Sequence, residues 1–323
     1  MTVNQTSRVA VCSRSFSKHP VLRAELSSRY AHVTFNDAGL ELRGDALVQF
    51  LRGHDKAITA LERVDDAVLA QLPDLKIISK YGVGLDSLDL AALQARGIRL
   101  GWTGGVNRRS VAELVIGFAI AMLRHVPAAH REVLGGRWRQ HVGGQVSGRT
   151  VGLIGCGFVG KDVVRLLQPF GCRVLVYDIR EYRSFYERYG VTPVSLEPLL
   201  AESDIVSLHV PLDDSTRLIL DDARLARMQP SAVLINTARG QLVDEVALAQ
   251  RLSDGRLAAA AFDVFAVEPP TDTHLLQLPN FLATPHIGGS AAEAILAMGR
   301  AAIDGLDTHD APGAHTMMSE ELA

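Results

Sequence analysis

Three short segments carry side chains suited to moving a proton beside a bound carboxylate. Leu234-Ile235-Asn236-Thr237-Ala238-Arg239-Gly240 closes an apolar run with an Arg. Phe262-Asp263-Val264-Phe265-Ala266-Val267-Glu268-Pro269 closes another with two carboxylates. Thr284-Pro285-His286-Ile287-Gly288-Gly289 supplies a His. A group that moves a hydroxyl proton near neutral pH is best provided by His. A cation that grips a carboxylate and polarises the neighbouring carbonyl is best provided by Arg, whose planar fork stays charged. A carboxylate beside the His orients its ring and stabilises the imidazolium. Arg239, Glu268 and His286 supply one of each. Singly, each has a bland alternative: a turn His after Pro, a boundary Glu before Pro, a solvated Arg before Gly. Jointly they sit at the carboxyl ends of predicted strands, where open α/β sheets bind ligands.

A second constellation lies upstream. Val151-Gly152-Leu153-Ile154-Gly155-Cys156-Gly157-Phe158-Val159-Gly160 places G-x-G-x-x-G at Gly155, Gly157 and Gly160. Glycine is common, so the pattern alone is weak; here it follows an apolar strand and opens a helix. The next strand, Val174-Leu175-Val176-Tyr177, ends on Asp178. Gly155 permits the tight turn, Gly157 lets a pyrophosphate approach the backbone, and Gly160 lets helix and strand pack closely. The helix start offers free amides and positive potential to phosphate. Asp178 suits the ribose hydroxyls of an adenosine and repels a 2′-phosphate, which favours NAD over NADP. Arg180, just beyond, pulls the other way.

These segments need a scaffold, and the chain supplies alternating strands and helices. Val9–Cys12, Val33–Phe35, Ala57–Thr59, Lys76–Ser79 and Ile98–Leu100 read as strands. Leu22–Ser28, Ala46–Leu51, Val68–Leu72 and Leu88–Arg96 read as helices between them. This alternation predicts a parallel sheet with crossover helices. Arg108 to His125 reads as one long helix, with a second stretch to about Leu134. Six further strands follow: Val151–Ile154, Arg173–Tyr177, Ile205–His209, Val233–Asn236, Ala259–Phe262 and Phe281–Ala283. Helices between them make a doubly wound sheet of the Rossmann type. Ala291 to Leu306 reads as a final helix, and Asp307 to Ala323 as a tail without chemistry.

Composition narrows the function. The 323 residues are 47 % hydrophobic and 21 % charged, with a net charge of −3. Length suggests about two domains. The near balance of charge argues against a general nucleic-acid binder. The longest apolar run, Leu114–Leu123, is about half of the roughly 20 residues that a bilayer requires, and no secretory leader is visible. The 3 Cys show no C-x-x-C spacing, so neither a disulfide framework nor a thiolate zinc site is expected, and a cytoplasmic location fits.

With these motifs in view, the chain resembles the D-isomer-specific 2-hydroxyacid dehydrogenases. Further segments carry the likeness: Gly82-Val83-Gly84-Leu85-Asp86, Asn107-Arg108-Arg109-Ser110-Val111-Ala112-Glu113, and His209-Val210-Pro211-Leu212. The resemblance covers about residues 75–306 strongly. It implies an α/β fold with a Rossmann cofactor domain at 105–288. A smaller flavodoxin-like substrate domain would be built from 1–104 and 289–323, a return crossing that patterning alone does not reveal. It implies that Arg239 binds substrate, that His286 is the acid/base and that Glu268 is its partner. Phe158, Val159, Asp178, His209, Val210, Pro211, Thr216, Thr237 and Ala238 would line an NAD groove with the fingerprint glycines. Arg239, His286 and Gly288 would also meet the cofactor, and Asp263 would lie by the nicotinamide and help to orient its carboxamide ring. The backbone at Val83 and Gly84 would grip the substrate carboxylate. Lys80 stands where phosphoglycerate dehydrogenases often carry an Arg, so it would meet a second anionic group, with Arg108 or Arg109 assisting. The alternative makes Lys80 a solvated strand-end lysine or a partner of Asp86. Relatives commonly form homodimers through the Ser110–Trp138 region. Phe158-Val159 departs from the more usual Arg-Ile, and Gly104-Gly105 from Pro-Gly. The likeness is to short forms, so serine feedback through an added domain is not expected.

Two competing readings remain at this level. One is an NAD-binding regulatory protein of the same fold, which can keep the catalytic residues. The other is a glyoxylate/hydroxypyruvate-type reductase rather than an enzyme of phosphorylated substrates. Another Rossmann chemistry, such as that of adenosylhomocysteine hydrolase, lacks support from the Arg–Glu–His spacing.

Overall fold

The computed structural model describes residues 3–271 and 273–313; the remainder of the predicted tail lies outside the described residues. Two compact units make up the chain: Met1–Asn107 with Ala292–Ala323, and Arg108–Ala291. The sequence reading put both junctions three residues earlier, at 104/105 and 288/289. The structure starts the second unit on the first residue of a long helix, Arg108–Leu123.

The first unit holds five parallel strands: β1 (Asn4–Val11), β2 (Tyr30–Phe35), β3 (Lys56–Thr59), β4 (Ile77–Lys80) and β5 (Arg99–Gly101), ordered β2-β1-β3-β4-β5. This is the flavodoxin-like order. Strand residues alternate between two cores. Val9, Val11 and Ile58 pack with Phe16, Leu22 and Leu26 on one face. Ala10, Ala57 and Ile78 pack with Leu47, Leu51 and Leu93 on the other. The C-terminal helix Ala292–Asp304 returns to this unit, and its Ala302 and Ile303 join the first of these cores. Gly299 lets it press close: a Cβ there would lie 2.3 Å from Leu22 Cδ1. Beyond it, Asp310 pairs with Leu100 of β5 as an antiparallel bridge.

The second unit holds seven parallel strands: β6 (Thr150–Ile154), β7 (Arg173–Tyr177), β8 (Val191–Pro193), β9 (Ile205–Leu208), β10 (Val233–Asn236), β11 (Ala259–Phe262) and β12 (Phe281–Ala283). Their order is β12-β11-β10-β9-β6-β7-β8. Counted from β6, this is the 3-2-1-4-5-6 order of dinucleotide-binding sheets with one strand added. The sequence reading found six strands here and missed β8. That strand is three residues long, ends in Pro193 and sits at the sheet edge, where proline is tolerated. The strand order reverses between β6 and β9, so the segments after these two strands flank the switch point. Among the described residues, no single helix is long and apolar enough to cross a membrane.

Candidate active site and cofactor groove

The fingerprint turn is built from contacts only glycine permits. Gly155 has φ of +99°, and a Cβ there would lie 2.7 Å from the His209 carbonyl oxygen. Gly160 faces the same turn, with a Cβ position 2.3 Å from the Gly155 carbonyl oxygen. Thus β6, the helix Phe158–Leu167 and the end of β9 converge without side-chain spacers. The helix begins at Gly157, which offers no side-chain cap, while Phe158 and Val159 are half-buried in its first turn. Asp178 follows β7 directly and holds this turn from beside it. Its Oδ2 accepts from the Cys156 amide at 2.6 Å and its Oδ1 from the Arg180 amide at 2.8 Å. Burial pushes the Cys156 thiol up to about 12, so Cys156 serves as packing.

The opposite side of the switch point is His209, Val210 and Pro211. His209 Nε2 and Thr237 Oγ1, after β9 and β10, are buried atoms without a hydrogen-bond partner. Such atoms are costly unless a ligand satisfies them. Burial also drives the His209 imidazole down to about 3, so the ring is neutral. Thr216 closes the loop below: its hydroxyl donates to the Pro211 carbonyl at 2.7 Å and accepts from the Asp213 amide at 2.8 Å. A glycine turn with no side chains in the way, a carboxylate just beyond β7 and two unsatisfied polar atoms fit a dinucleotide. Gly155, Gly157, Phe158, Val159, Gly160, Asp178, His209, Val210 and Thr237 would hold it.

The predicted catalytic residues arise from three neighbouring strand ends. Buried Asn236 shapes the turn after β10: its Oδ1 accepts from the Ala238 amide at 3.1 Å and its Nδ2 donates to the Arg239 carbonyl at 2.9 Å. Arg239 leaves this turn half-buried, with Nη1 donating to the Ala238 carbonyl at 2.6 Å. Buried Asp263, after β11, fixes the loop that carries the His. Its Oδ1 accepts from the Thr284 hydroxyl at 2.5 Å and the Ile287 amide at 2.7 Å. Its Oδ2 accepts from the Gly288 amide at 2.7 Å. Ser110 then donates to the Gly288 carbonyl at 2.6 Å, so both backbone groups of Gly288 are held. His286 adopts φ of +54°, with its amide on the Asp263 carbonyl at 2.9 Å. Its Nδ1 meets Glu268 Oε2 at 2.8 Å, while Glu268 Oε1 accepts from the Phe265 amide at 3.0 Å. A carboxylate facing Nδ1 places the proton there and leaves Nε2 for chemistry.

Lys80, Val83 and Gly84 belong to the first unit, at the end of β4 and in the turn beyond. The solvated reading of Lys80 is overturned: it is buried, and its ammonium donates to the Ala60 carbonyl and, at 2.8 Å, to Ser87 Oγ. The Val83 carbonyl accepts from Trp102 Nε1 at 2.9 Å. Arg109 and Arg108 approach the buried Asp162 carboxylate, at 3.2 and 4.0 Å. Sequence reasoning missed Asn236, Gln241 and Glu245, the polar residues that shape the catalytic loops. A polar residue closing the apolar Val-Leu-Ile run was the one available signal, for Asn236.

A His held by a carboxylate, an Arg from a nearby strand end and a dinucleotide groove together define an NAD-dependent oxidoreductase. Residues 116–288 match the family described as D-isomer specific 2-hydroxyacid dehydrogenase, NAD binding domain. Hydroxypyruvate reductase of Thermotoga maritima is 41 % identical over 226 residues, 68 % of this chain and 73 % of that one. D-3-phosphoglycerate dehydrogenase of Mycobacterium bovis is 39 % identical over 233 residues, 72 % of this chain but 44 % of that one. A glyoxylate reductase structure from Paecilomyes thermophila superimposes with a TM-score of 0.82 at 26 % identity, covering 94 % of each chain. The chain belongs to the D-isomer specific 2-hydroxyacid dehydrogenase family.

Proposed function

We propose that the protein reduces a small 2-oxo acid, of the glyoxylate or hydroxypyruvate kind, to the corresponding 2-hydroxy acid with NADH, in the D configuration where the product is chiral. The observation that carries this is the 2.8 Å His286–Glu268 pair on loops pinned by Asp263. NAD supplies or accepts the hydride when bound. His286 Nε2 delivers the proton to the carbonyl oxygen, and Glu268 stabilises the charged ring before that transfer. Arg239 offers its fork to the substrate carboxylate and polarises the carbonyl. Hydroxypyruvate and glyoxylate reductases stand among its relatives at 41 % and 37 % identity, beside a phosphoglycerate dehydrogenase at 39 %, so the substrate panel must decide between the two classes.

A second reading, a substrate with a further anionic group such as a phosphoglycerate, has Lys80 as its support. The Ala60 and Ser87 partners of its ammonium weigh against it. The test is a panel of 2-oxo acids read as kcat/KM, with NADH and NADPH side by side. Glyoxylate or hydroxypyruvate is expected to lead, and NADH to exceed NADPH because Asp178 repels a 2′-phosphate. A phosphorylated oxo acid ahead of both, with a Lys80→Met variant losing that advantage alone, would establish the second reading. Failure of the whole panel with NADH still bound would favour a regulatory role.

A homodimer and a cytoplasmic setting complete the proposal. The apolar side chains exposed beyond Leu123 support the first. Three unpaired cysteines, Cys12, Cys156 and Cys172, support the second.

A further inference from the structure

The backbone of Phe265 and Ala266 lies between the Arg239 turn and Glu268, and it is held from several sides. The Phe265 amide donates to Glu268 Oε1 at 3.0 Å. The Ala266 amide donates to Glu245 Oε1 at 2.7 Å. The Ala266 carbonyl accepts from Gln241 Nε2 at 3.2 Å. Gly240, next to Arg239, presses on the Phe265-Ala266 peptide: a Cβ there would lie 1.9 Å from the Phe265 carbonyl carbon. Glu245 opens the helix Glu245–Ser253, whose cap is the carboxylate of Asp244, bonded to the Val246 and Ala247 amides. Helix capping is therefore done by the residue before it, and the Glu245 carboxylate reaches a loop 21 residues further along.

Charge-assisted bonds to backbone amides are among the stronger positional constraints in proteins. Ala266 is two residues from Glu268, on a short loop that Glu268 itself closes through the Phe265 amide. A shift of the Ala266 peptide therefore moves the carboxylate that meets His286. We infer that Glu245 is a positioning residue for the reaction: through the Ala266 amide it sets where Glu268 stands against His286, with Gln241 holding the next peptide through the Ala266 carbonyl. This rests on the acid/base reading of His286 and Glu268.

The experiment compares Glu245→Ala, Glu245→Gln, Glu268→Gln and the double variant Glu245→Ala/Glu268→Gln in the full chain with NADH and glyoxylate. In Glu245→Ala, kcat should fall about tenfold, less than the ~10²-fold that a displacement of about 1 Å can cost. NADH affinity should hold, and the alkaline fall of the reduction rate should move to lower pH. Glu245→Gln keeps an oxygen for the Ala266 amide and should stay within about threefold of the parent. In the Glu268→Gln background the Glu245→Ala effect should largely vanish, because the two act on one group. Full additivity overturns the inference. So does a lower melting temperature with unchanged kcat, or a raised KM for glyoxylate with an unmoved pH profile. An unmoved profile in Glu268→Gln refutes the underlying acid/base reading instead, and the two failures are thereby told apart.

Discussion

His286 divides its ring between two tasks: Nδ1 belongs to Glu268, and Nε2 is left for the reacting oxygen. The division holds because neither partner is free to drift. Glu268 is tied to a backbone amide, and the His loop is tied to both oxygens of Asp263. The second histidine near this groove, His209, behaves in the opposite way. Its Nε2 is buried without a partner, and burial pushes the imidazole down to about 3. In the unfolded chain a His takes up a proton below about 6.5. Between those two values the unfolded state binds the extra proton, so stability is present above ~6.5 and is lost as pH falls through that window. The parent should therefore lose more stability than His209→Gln on going from pH 7 to pH 5, by up to about 2 kcal/mol. Urea midpoints of the NAD-free proteins at the two pH values measure it. An equal loss in both would mean that the folded ring already protonates near its ordinary range.

The elements matter because they bring backbone, rather than side chains, to the cofactor. Gly155 combines φ of +99° with a 2.7 Å approach to the His209 carbonyl oxygen. A Gly155→Ala variant meets both penalties, since L side chains avoid that φ and the methyl has no room. NADH affinity should fall more than tenfold, about 1.4 kcal/mol or more, measured by fluorescence titration. A variant that binds NADH normally would show that β9 can withdraw from the turn. The elements were largely legible in the sequence. Runs such as Ala259–Phe262 and Val233–Asn236 are buried throughout, and a continuous apolar run bounded by turns is the mark of a strand covered on both faces. The edge strand β8 was not legible, because it has one buried residue in three and ends in proline. In the site, Arg239, Glu268 and His286 announced themselves by residue type at strand ends. Asn236, Gln241 and Glu245 did not. Their partners are backbone groups, and for Gln241 and Glu245 those lie 25 and 21 residues away. A polar side chain that serves a distant backbone leaves no spacing to read.

At the scale of the whole molecule, the second unit exposes a run of large apolar side chains. The helix Val126–Leu134 buries no residue at all. The segment around it exposes Leu134 by 74 %, Trp138 by 86 % and Val142 by 96 %. This segment is nonetheless fixed. Arg131 donates to the Pro279 carbonyl at 2.8 Å, and His141 meets Glu132 at 2.9 Å. Gly143 packs so closely that a Cβ would lie 2.4 Å from the Leu123 carbonyl oxygen. An ordered segment that turns large apolar side chains outward is the mark of an interaction site. A second copy of the same chain, meeting it about a two-fold axis, would bury the same residues on both sides. The parent is therefore expected to sediment as a dimer at micromolar concentration. The double variant Leu134→Glu/Trp138→Glu should sediment as a monomer, because four carboxylates would be forced together across the axis at a desolvated interface. NADH binding should survive in the monomer, since the groove residues from Gly155 to Thr237 lie outside this segment. A parent that sediments as a monomer, or a variant that stays dimeric, would place the association surface elsewhere.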